Sequence, residues 1–307
     1  MYKKIANIVL CVLAYGYLGY KLLTYDNYDG LLAQFANAGL WQWLSLAGCV
    51  LLFPVNRFFE AWKWQYLVRG IEPMDIWEAQ RQVYYGTIAG FVTPYKLGEY
   101  PGRALLFRST ERHLLTATCL GIIGGYAMTT VVIVGGLPSL AARMAGDHST
   151  LWSIVLALVC ALAAIIALPA LMRRLQRRQW KSEQSRMIID NMAAMTAKDV
   201  SVLIGMSLLR YIVFIVQLLL VLLFSGVYLP AATMAVLLPL YFMLITVTPN
   251  VPAAELAVRG AWATVLFEPY GSDIAAAAVI AALLLWTINT ILPLLVGSFV
   301  KKPDTDS

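Results

Sequence analysis

The sequence predicts an all-α polytopic membrane protein, and three observations support that fold class. Hydrophobic residues fill 60% of the 307 positions and charged residues only 13%, about half the charged fraction of an average soluble domain. The apolar runs are continuous and long enough for membrane-spanning helices. The strands of a β-barrel would instead alternate apolar and polar residues. Two of these runs are interrupted by a short polar stretch whose residues follow the same order in both halves of the chain.

The first half of the chain is predicted to contain three spanning helices, at about Ile5–Leu23, Leu40–Phe59 and Leu114–Leu137. Two lysines precede the first helix, so the N-terminus is expected in the cytoplasm, the side that basic residues favour. The loop after this helix carries two aspartates and no lysine or arginine, as an external loop should. Small residues in the third helix permit close packing against a neighbour, namely Gly121, Gly124 and Gly125.

A broken apolar segment, Val83–Phe107, lies between the second and third of these helices. Its central residues, Thr93–Arg103, include two prolines, two glycines and three charges. Proline removes a backbone donor and disfavours helix at the residue before it, so one continuous helix is not expected. Both flanks are basic and therefore cytoplasmic. The sequence predicts a re-entrant hairpin with a short helix over Val83–Val92, a turn over Thr93–Gly98 and a return helix.

The second half is predicted to contain three more spanning helices, at about Leu151–Met172, Val200–Phe224 and Ile274–Val300, after an external loop from Pro138 to Thr150. A second broken segment, Ala231–Phe267, has flanks without lysine or arginine, so both of its ends are expected outside. The most basic loop of the chain is expected in the cytoplasm and contains Arg173, Arg174, Arg177, Arg178, Lys181, Arg186 and Lys198.

The two broken segments repeat one pattern of residues. Thr248–Arg259 again begins with Thr-Pro, continues through a short break and ends with Glu-x-x-x-Arg. Glu99 and Glu255 are 156 positions apart, as are Arg103 and Arg259, which is close to half of the chain. The first copy starts from the cytoplasm and the second from outside. The sequence therefore predicts an inverted-topology repeat.

Taken together, these elements predict a single membrane domain over residues 1–300, with six transmembrane helices and two opposed re-entrant helical hairpins. Repeat one covers about 1–137, repeat two covers about 151–300, and residues 301–307 form a cytoplasmic tail. Both termini are expected in the cytoplasm, and the protein is expected in the cell membrane as a multi-pass protein. The alternative is eight ordinary spanning helices with the two breaks at opposite membrane surfaces.

Charged residues near the predicted midplane form the candidate binding site. An ionisable residue at that depth costs at least about 2.5 kcal/mol, so it normally pairs or lines a cavity. In one interpretation, the arginines and the N-termini of the return helices bind an anionic group, because both favour phosphate. In the other, each Glu-x-x-x-Arg pair is a salt bridge that only holds its own hairpin together. The expected substrate-binding residues are Glu99, Arg103, Arg210, Glu255, Arg259, Lys96, Thr93 and Thr248.

The remaining reactive residues do not form recognisable catalytic or metal sites. The four cysteines stand singly in apolar runs, and the two histidines have no cluster of carboxylates or thiols around them, so no metal site is expected. The sequence has no nucleophile elbow, phosphate loop or nucleic-acid motif, so no catalytic residue, cofactor or nucleic-acid partner is predicted. Arg57 lies near the end of the second helix and is expected to be an anchor at the membrane interface.

The first broken segment resembles the signature of the lysylphosphatidylglycerol synthase transmembrane family, the flippase-domain superfamily. Members carry a Pro-Gly-x-x-Gly-Glu-x-x-Arg type motif after an apolar segment, and Thr93–Arg103 keeps the Pro, the Gly-Glu and a following Arg. The second family motif, Pro-x-x-Pro-Gly-Gly-x-Gly-x-x-Glu, is similar to Pro249–Glu255, which is shorter and lacks the glycines. The resemblance covers the whole apolar length, and these two motifs are its specific part.

This resemblance implies a membrane domain that moves lipids across the bilayer. The expected function is a flippase or scramblase for an anionic or phosphate-bearing lipid, with aminoacylated and polyprenyl-linked lipids among the candidates. The aminoacyl-transferase domain of the bifunctional members is not in this sequence, so a separate lipid or glycan synthase is an expected partner. A homo-oligomeric assembly is a further alternative that the sequence leaves open. The first alternative function is a membrane-embedded lipid-modifying enzyme or its accessory subunit, and the second is a non-transporting scaffold or a small-solute transporter.

Overall fold

The structure is a computed structural model that describes residues 16–17, 19–21, 23–91, 93, 96–107, 111–145, 173–174, 176, 183–248 and 254–299. Within these ranges every regular element is helical and no strand occurs. The α-helices are α1 (Tyr28–Ala36), α2 (Leu40–Val68), α3 (Ile76–Phe91), α4 (Glu99–Ala104), α5 (Glu111–Ala145), α6 (Glu183–Ala194), α7 (Ala197–Phe224), α8 (Ala231–Val247), α9 (Glu255–Phe267), α10 (Ser272–Trp286) and α11 (Leu292–Ser298). A 3₁₀ turn, Glu268–Tyr270, follows α9, and a π-helix, Thr287–Ile291, joins α10 to α11.

Four helices are long and apolar enough to cross a membrane, which confirms the prediction of a helical, multi-pass membrane protein. They are α2, most of α5, α7 and the run from α10 through α11, and α8 is a shorter apolar helix. The predicted spanning helix at Ile5–Leu23 lies mostly outside the described residues, and the one at Leu151–Met172 lies entirely outside them.

Two predicted helix ends are wrong. The second spanning helix does not end at Phe59 but continues to Val68, because no glycine or proline lies between Phe59 and Gly70. The loop predicted to begin at Pro138 starts later, since α5 continues through this proline to Ala145. A proline removes only its own N–H, and membrane helices tolerate it where neighbouring groups satisfy the freed carbonyl.

The predicted basic loop also contains a helix, α6, that the sequence analysis missed. Arg186 in this helix is exposed, as are Arg173 and Arg174 before it and Lys198 after it. The loop's other three basic residues lie outside the described ranges: Arg177, Arg178 and Lys181. A charged, solvated surface therefore forms in part on a helix and not only on an irregular loop.

The chain divides into two compact units. Unit 1 consists of Met1–Pro54, Gly135–Thr150 and Val213–Leu292, and unit 2 consists of Val55–Val134, Leu151–Ile212 and Pro293–Ser307. Each unit contains one of the two broken segments: α8 and α9 belong to unit 1, and α3 and α4 belong to unit 2.

The core of unit 2 forms where α2, α3, α4, α5 and α7 bring apolar side chains together. Its most deeply buried members are Ala61, Trp64, Val68, Ala79, Val83, Ala104, Ala117, Ile123 and Leu203. Tyr100 of α4 lies across Gly121 and Gly125 of α5, where an added Cβ would collide with the tyrosine side chain. This contact confirms the prediction that glycines in this helix permit close packing.

The core of unit 1 combines apolar packing with the buried amide of Gln217, which bonds to the partly buried amide of Asn289. The Gln217 side chain in α7 donates to the carbonyl of Cys49 at 3.0 Å and accepts a hydrogen bond from Asn289 Nδ2 at 3.2 Å. Asn289 lies in the π-helix, which shifts the register of the last span. The apolar residues buried around this region include Leu218, Leu222, Leu237, Tyr241, Phe267, Ala278 and Ala281.

Candidate functional site

The first broken segment forms a helical hairpin within unit 2, and Thr93 holds its turn between α3 and α4. The Thr93 hydroxyl donates to the carbonyl of Ala89 at 3.0 Å and accepts from the N–H of Gly98 at 2.8 Å. Lys96 lies in the turn with a φ of 56°, a left-handed conformation that costs a residue with a Cβ about 1–2 kcal/mol. The predicted break therefore coincides with a turn that the local residues specify.

The two arms of this hairpin pack closely through glycines. A Cβ added to Gly102 would lie 2.5 Å from the Cβ of Ala89 and 3.2 Å from the Cα of Gly86. Any larger residue at position 102 would push α4 away from α3. This contact fixes the positions of the two charged residues of α4, Glu99 and Arg103.

The ion pair predicted in the first hairpin is present. Arg103 Nη2 lies 2.6 Å from Glu99 Oε1. Arg103 is 1% exposed, whereas the Glu99 side chain keeps 24% of its exposure. The same arginine nitrogen also lies 2.7 Å from Oε1 of Glu60, a buried residue that the sequence analysis did not single out.

The Glu60 carboxylate connects cations from three helices. Its Oε1 pairs with Arg103 of α4, and its Oε2 pairs with Lys63 of α2 at 3.0 Å and with Arg210 of α7. Arg210 is held a second time, because its Nε donates to Asn56 Oδ1 at 3.0 Å. Shared contacts of this kind strengthen one another in a region of low dielectric. One buried glutamate therefore links the hairpin to two of the helices around it.

The prediction that Arg57 anchors the chain at the membrane interface is wrong. Arg57 is buried and interacts electrostatically with Arg210, Glu99 and Glu60. The reason is the true length of α2: because this helix continues to Val68, position 57 lies well inside it.

These contacts define one group of residues, which we call the Glu60 cluster: Asn56, Arg57, Glu60, Lys63, Glu99, Arg103 and Arg210. It contains four cationic and two anionic side chains, a formal excess of two positive charges. Two of its buried donors, Arg103 Nε and Asn56 Nδ2, have no hydrogen-bond partner among the described residues. Buried donors are normally hydrogen-bonded, so these two donors are available to an acceptor that is not among the described residues.

Aromatic rings enclose the central guanidinium. The Arg103 guanidinium lies 5.4 Å from the ring centroid of Trp64 and 5.1 Å from that of Tyr100. Trp64 is itself fixed, because its indole N–H donates to Gln82 Oε1 at 2.7 Å. Rings at this distance attract a cation and keep polar solvent away from it, which strengthens its interaction with an anion.

The second broken segment forms a corresponding hairpin within unit 1, between α8 and α9. The Thr248 hydroxyl donates to the carbonyl of Leu244 at 2.7 Å and accepts from the indole N–H of Trp262 at 2.9 Å. Arg259 Nη2 lies 3.1 Å from Glu255 Oε1, so the second predicted ion pair is also present. The Arg259 side chain is 22% exposed.

Comparison with known families identifies the chain's relatives. The family described as the lysylphosphatidylglycerol synthase TM region matches residues 7–297, which include both hairpins and the whole Glu60 cluster. The chain belongs to this family. The match confirms the resemblance inferred from the two motifs, and it indicates a lipid-related function in the membrane. No curated protein matches the chain.

In this member of the lysylphosphatidylglycerol synthase TM family, three of the eight predicted site residues come together. Glu99, Arg103 and Arg210 all belong to the Glu60 cluster, whereas Glu255 and Arg259 form a separate pair within the second hairpin. Both predicted salt bridges exist, so the interpretation that they hold the hairpins together describes real contacts. Whether any of these residues also contacts a lipid stays a prediction.

The three other predicted site residues lie at the turns of the hairpins. The hydroxyls of Thr93 and Thr248 each donate to a carbonyl at the end of the preceding helix and accept one further hydrogen bond. These hydrogen bonds satisfy both threonine hydroxyls, so the positions of the two threonines can be explained without a bound ligand. Lys96 lies in the first turn, and a binding role for it is a prediction that the geometry leaves open.

Asn56, Glu60 and Lys63 were not among the predicted site residues. Glu60 and Lys63 lie beyond the predicted helix end at Phe59, whereas Asn56 lies before it and was not singled out. A usable signal was present, since positions 56, 60 and 63 follow the spacing that places polar side chains on one face of a helix. Glutamate on such a face, between cationic neighbours, indicates a buried ion network. No group of three or more histidine, cysteine, aspartate or glutamate side chains that could hold a metal ion occurs among the described residues.

Proposed function

We propose that the chain is an integral-membrane lipid flippase or scramblase that moves an anionic or phosphate-bearing lipid between leaflets. The observation that carries this function is the Glu60 cluster, a buried group with two more positive than negative charges in a chain of the lysylphosphatidylglycerol synthase TM family. Buried charge in a membrane protein is costly and typically marks a substrate or ion pathway.

An anionic headgroup would relieve the main cost of this arrangement. Charged groups in a low-dielectric region need an opposite charge, and Glu60 and Glu99 neutralise only part of the four cations. Arginine presents several donors in a planar fork that matches a phosphate, and two of the cations here are the arginines bound to Glu60. Glu99 and Arg210, the more exposed members with 24% and 15% of their side-chain surface accessible, give the headgroup its way into the cluster.

The membrane arrangement that fits this function is an inverted-topology repeat of six spanning helices and two opposed re-entrant hairpins, with both termini in the cytoplasm of the cell membrane. Its support is the local likeness of the two hairpins: each has a threonine that bonds back to the preceding helix, and each continues with an ion pair four residues apart. Transporters with inverted repeats bind substrate where such broken helices expose their ends.

Cysteine accessibility tests this arrangement. In a background without the four native cysteines, Tyr228→Cys is expected to react with an impermeant reagent from outside, and Gly70→Cys only from the cytoplasmic side. Both positions are exposed in the loops that follow α7 and α2. Labelling of both cysteines from the same side would overturn the topology.

Reconstitution tests the function. Liposomes containing purified protein and a trace of acyl-labelled phosphatidylglycerol, phosphatidic acid or phosphatidylcholine are treated with dithionite, which bleaches only outer-leaflet label. We expect the protein to expose inner-leaflet label for the anionic lipids. Arg103→Lys should fold and lose most of this activity, because lysine keeps the charge but not the planar fork. Arg186→Gln, a change at an exposed arginine outside the cluster, is the control.

The same liposomes distinguish the alternative function. If lipid stays in its leaflet and a chemically altered lipid appears, the chain is a lipid-modifying enzyme or part of one. If Arg103→Lys moves lipid as fast as the wild type, the cluster is not the headgroup site.

A further inference from the structure

The Glu60 cluster has a defined charge, and that charge says which class of anion fits it. The cations are Arg57, Lys63, Arg103 and Arg210, and the carboxylates are Glu60 and Glu99. A singly charged ligand would leave one positive charge uncompensated in a buried position. A doubly charged ligand would leave none, so it removes more of the desolvation cost.

The positive charges are concentrated at one point. Arg103, Lys63 and Arg210 all contact the two oxygens of the single Glu60 carboxylate. A ligand whose two charges lie on separate groups would therefore meet the cluster with only one of them. Both charges of a phosphate monoester are carried by terminal oxygens of the same phosphate group, which suits cations that converge in this way.

Two buried donors without a partner among the described residues also favour a phosphate monoester. Arg103 Nε and Asn56 Nδ2 are buried and lack partners among the described residues, and Asn56 belongs to the cluster through its bond to Arg210. A phosphate monoester presents three terminal oxygens, whereas a phosphodiester presents two. Two further donors beside converging cations therefore match the ligand that offers more acceptor oxygens.

We propose that the Glu60 cluster selects a lipid that ends in a phosphate monoester over lipids that carry a phosphodiester. This inference deepens the lipid-transport function proposed above and rests on it for the lipid character of the ligand. At pH 8 a phosphate monoester carries nearly two negative charges, because its second pKa is about 6, whereas a phosphodiester carries one.

Binding of short-chain lipids to the purified full chain in detergent at pH 8 tests the selection. The probes are dihexanoyl phosphatidic acid, dihexanoyl phosphatidylglycerol and dihexanoyl phosphatidylcholine, with inorganic phosphate as the free dianion. We expect the phosphatidic acid to bind about tenfold more tightly than the phosphatidylglycerol, the effect of one additional charge-assisted contact. Inorganic phosphate should bind more weakly than the phosphatidic acid, because it lacks acyl chains.

Variants that change the cluster's charge test the cause of the preference. Lys63→Gln lowers the excess from two charges to one, and the preference for phosphatidic acid should fall towards parity. Glu99→Gln raises the excess to three and should keep or increase the preference, and this less buried position protects the test if the Lys63 variant does not fold. Lys198→Gln makes the same charge change at an exposed lysine and should leave the preference unchanged.

The outcomes separate this inference from the general function. Equal binding of phosphatidic acid and phosphatidylglycerol, or a preference that Lys63→Gln does not alter in folded protein, would overturn the selection. Inorganic phosphate binding as tightly as phosphatidic acid would show a free-phosphate site and would overturn it too. If the preference for phosphatidic acid is found but no labelled lipid crosses the bilayer, the ligand class stands and the transport function fails.

Discussion

The two hairpins of this protein share a local design and differ in what surrounds it. In each, a threonine ends the first arm by donating to a carbonyl four residues back, and the second arm carries a Glu-x-x-x-Arg ion pair. In the first hairpin the arginine is 1% exposed and is shared by two carboxylates, whereas in the second it is 22% exposed and pairs with one.

The difference comes from other helices and not from the hairpins. In unit 2, α2 supplies Glu60 and Lys63 and α7 supplies Arg210, so the ion pair becomes part of a network. In unit 1, Tyr241 of α8 lies beside the Arg259–Glu255 pair. A repeated motif therefore fixes the turn and the ion pair, while the function depends on which side chains pack against it.

The largest expected effect is the loss of the arginine in the first hairpin. Arg103→Gln leaves Glu99 without its partner and weakens the hold on Glu60, and breaking a buried pair in this way costs about 3–5 kcal/mol. Arg259→Gln removes one partly exposed contact and should cost about 1 kcal/mol. Unfolding by SDS titration in mixed micelles measures both free energies.

The comparison of these two variants carries its own control, because the substitution is the same in both hairpins. Equal losses of stability would mean that the surrounding network adds nothing to Arg103, and the distinction between the hairpins would then be wrong.

Removing both members of each ion pair sharpens the comparison. In the second hairpin, Glu255→Gln with Arg259→Gln deletes both members of the ion pair, so neither charge is left facing an empty partner position and the double variant should be more stable than the sum of the single changes predicts. In the first, Glu99→Gln with Arg103→Gln leaves Glu60 with Lys63 and Arg210 alone. The stability that the first double variant regains relative to the sum of its single changes should therefore be smaller than in the second hairpin, by about 1 kcal/mol or more.

A double-mutant cycle in the same SDS titration gives both coupling energies. Lipid transport by the first double variant decides the role of its pair. If that variant folds and moves lipid like the wild type, Glu99 and Arg103 are scaffold and the headgroup site lies elsewhere.

The sequence predicted the features that depend on neighbouring residues. The two helix breaks, the first turn and both ion pairs could be read from proline, glycine and the Glu-x-x-x-Arg spacing, because these effects act within a few residues. The residues between Thr248 and Ala254 lie outside the described part of the chain. The length of α2 could not be read in the same way. Glu60 and Lys63 after Phe59 are typical of the end of a membrane span, but both are buried in an ion network and the helix continues past them to Val68.

The same limit applies to the candidate site. Arg103 and Arg210 were predicted separately, yet no sequence spacing indicates that they meet at Glu60, because the contact joins helices that are distant in the chain. The continuation of α5 through Pro138 was also missed, since the local preference of proline was overruled by packing.

A smaller effect is expected from the threonines of the two turns. Thr93→Val removes the acceptor for the N–H of Gly98, and Thr248→Val removes the acceptor for the Trp262 indole. Each change should cost about 1–2 kcal/mol, because a donor loses its partner while the shape of the side chain is kept. Thr→Ser at each site is the matched control, since serine keeps the hydroxyl. A Thr93→Val protein with normal stability that no longer transports lipid would instead favour the predicted binding role.

The smallest change in stability is expected at Lys96, where it separates a binding residue from a turn residue. Its left-handed φ of 56° costs about 1–2 kcal/mol for a residue with a Cβ, and glycine avoids that cost while adding about 0.5–1 kcal/mol of chain entropy to the unfolded state. Lys96→Gly relieves this backbone cost and so offsets the loss of the side chain's own interactions, which should keep the free energy of unfolding within about 1 kcal/mol of the wild type. Because the fold is kept, lipid transport then reports on the ammonium group alone. Lys96→Asn, which also tolerates a left-handed conformation, checks that any loss is due to the charge and not to added freedom of the turn. Transport that falls equally in both variants would assign Lys96 to the headgroup site of the first hairpin, and unchanged transport would assign it to the turn.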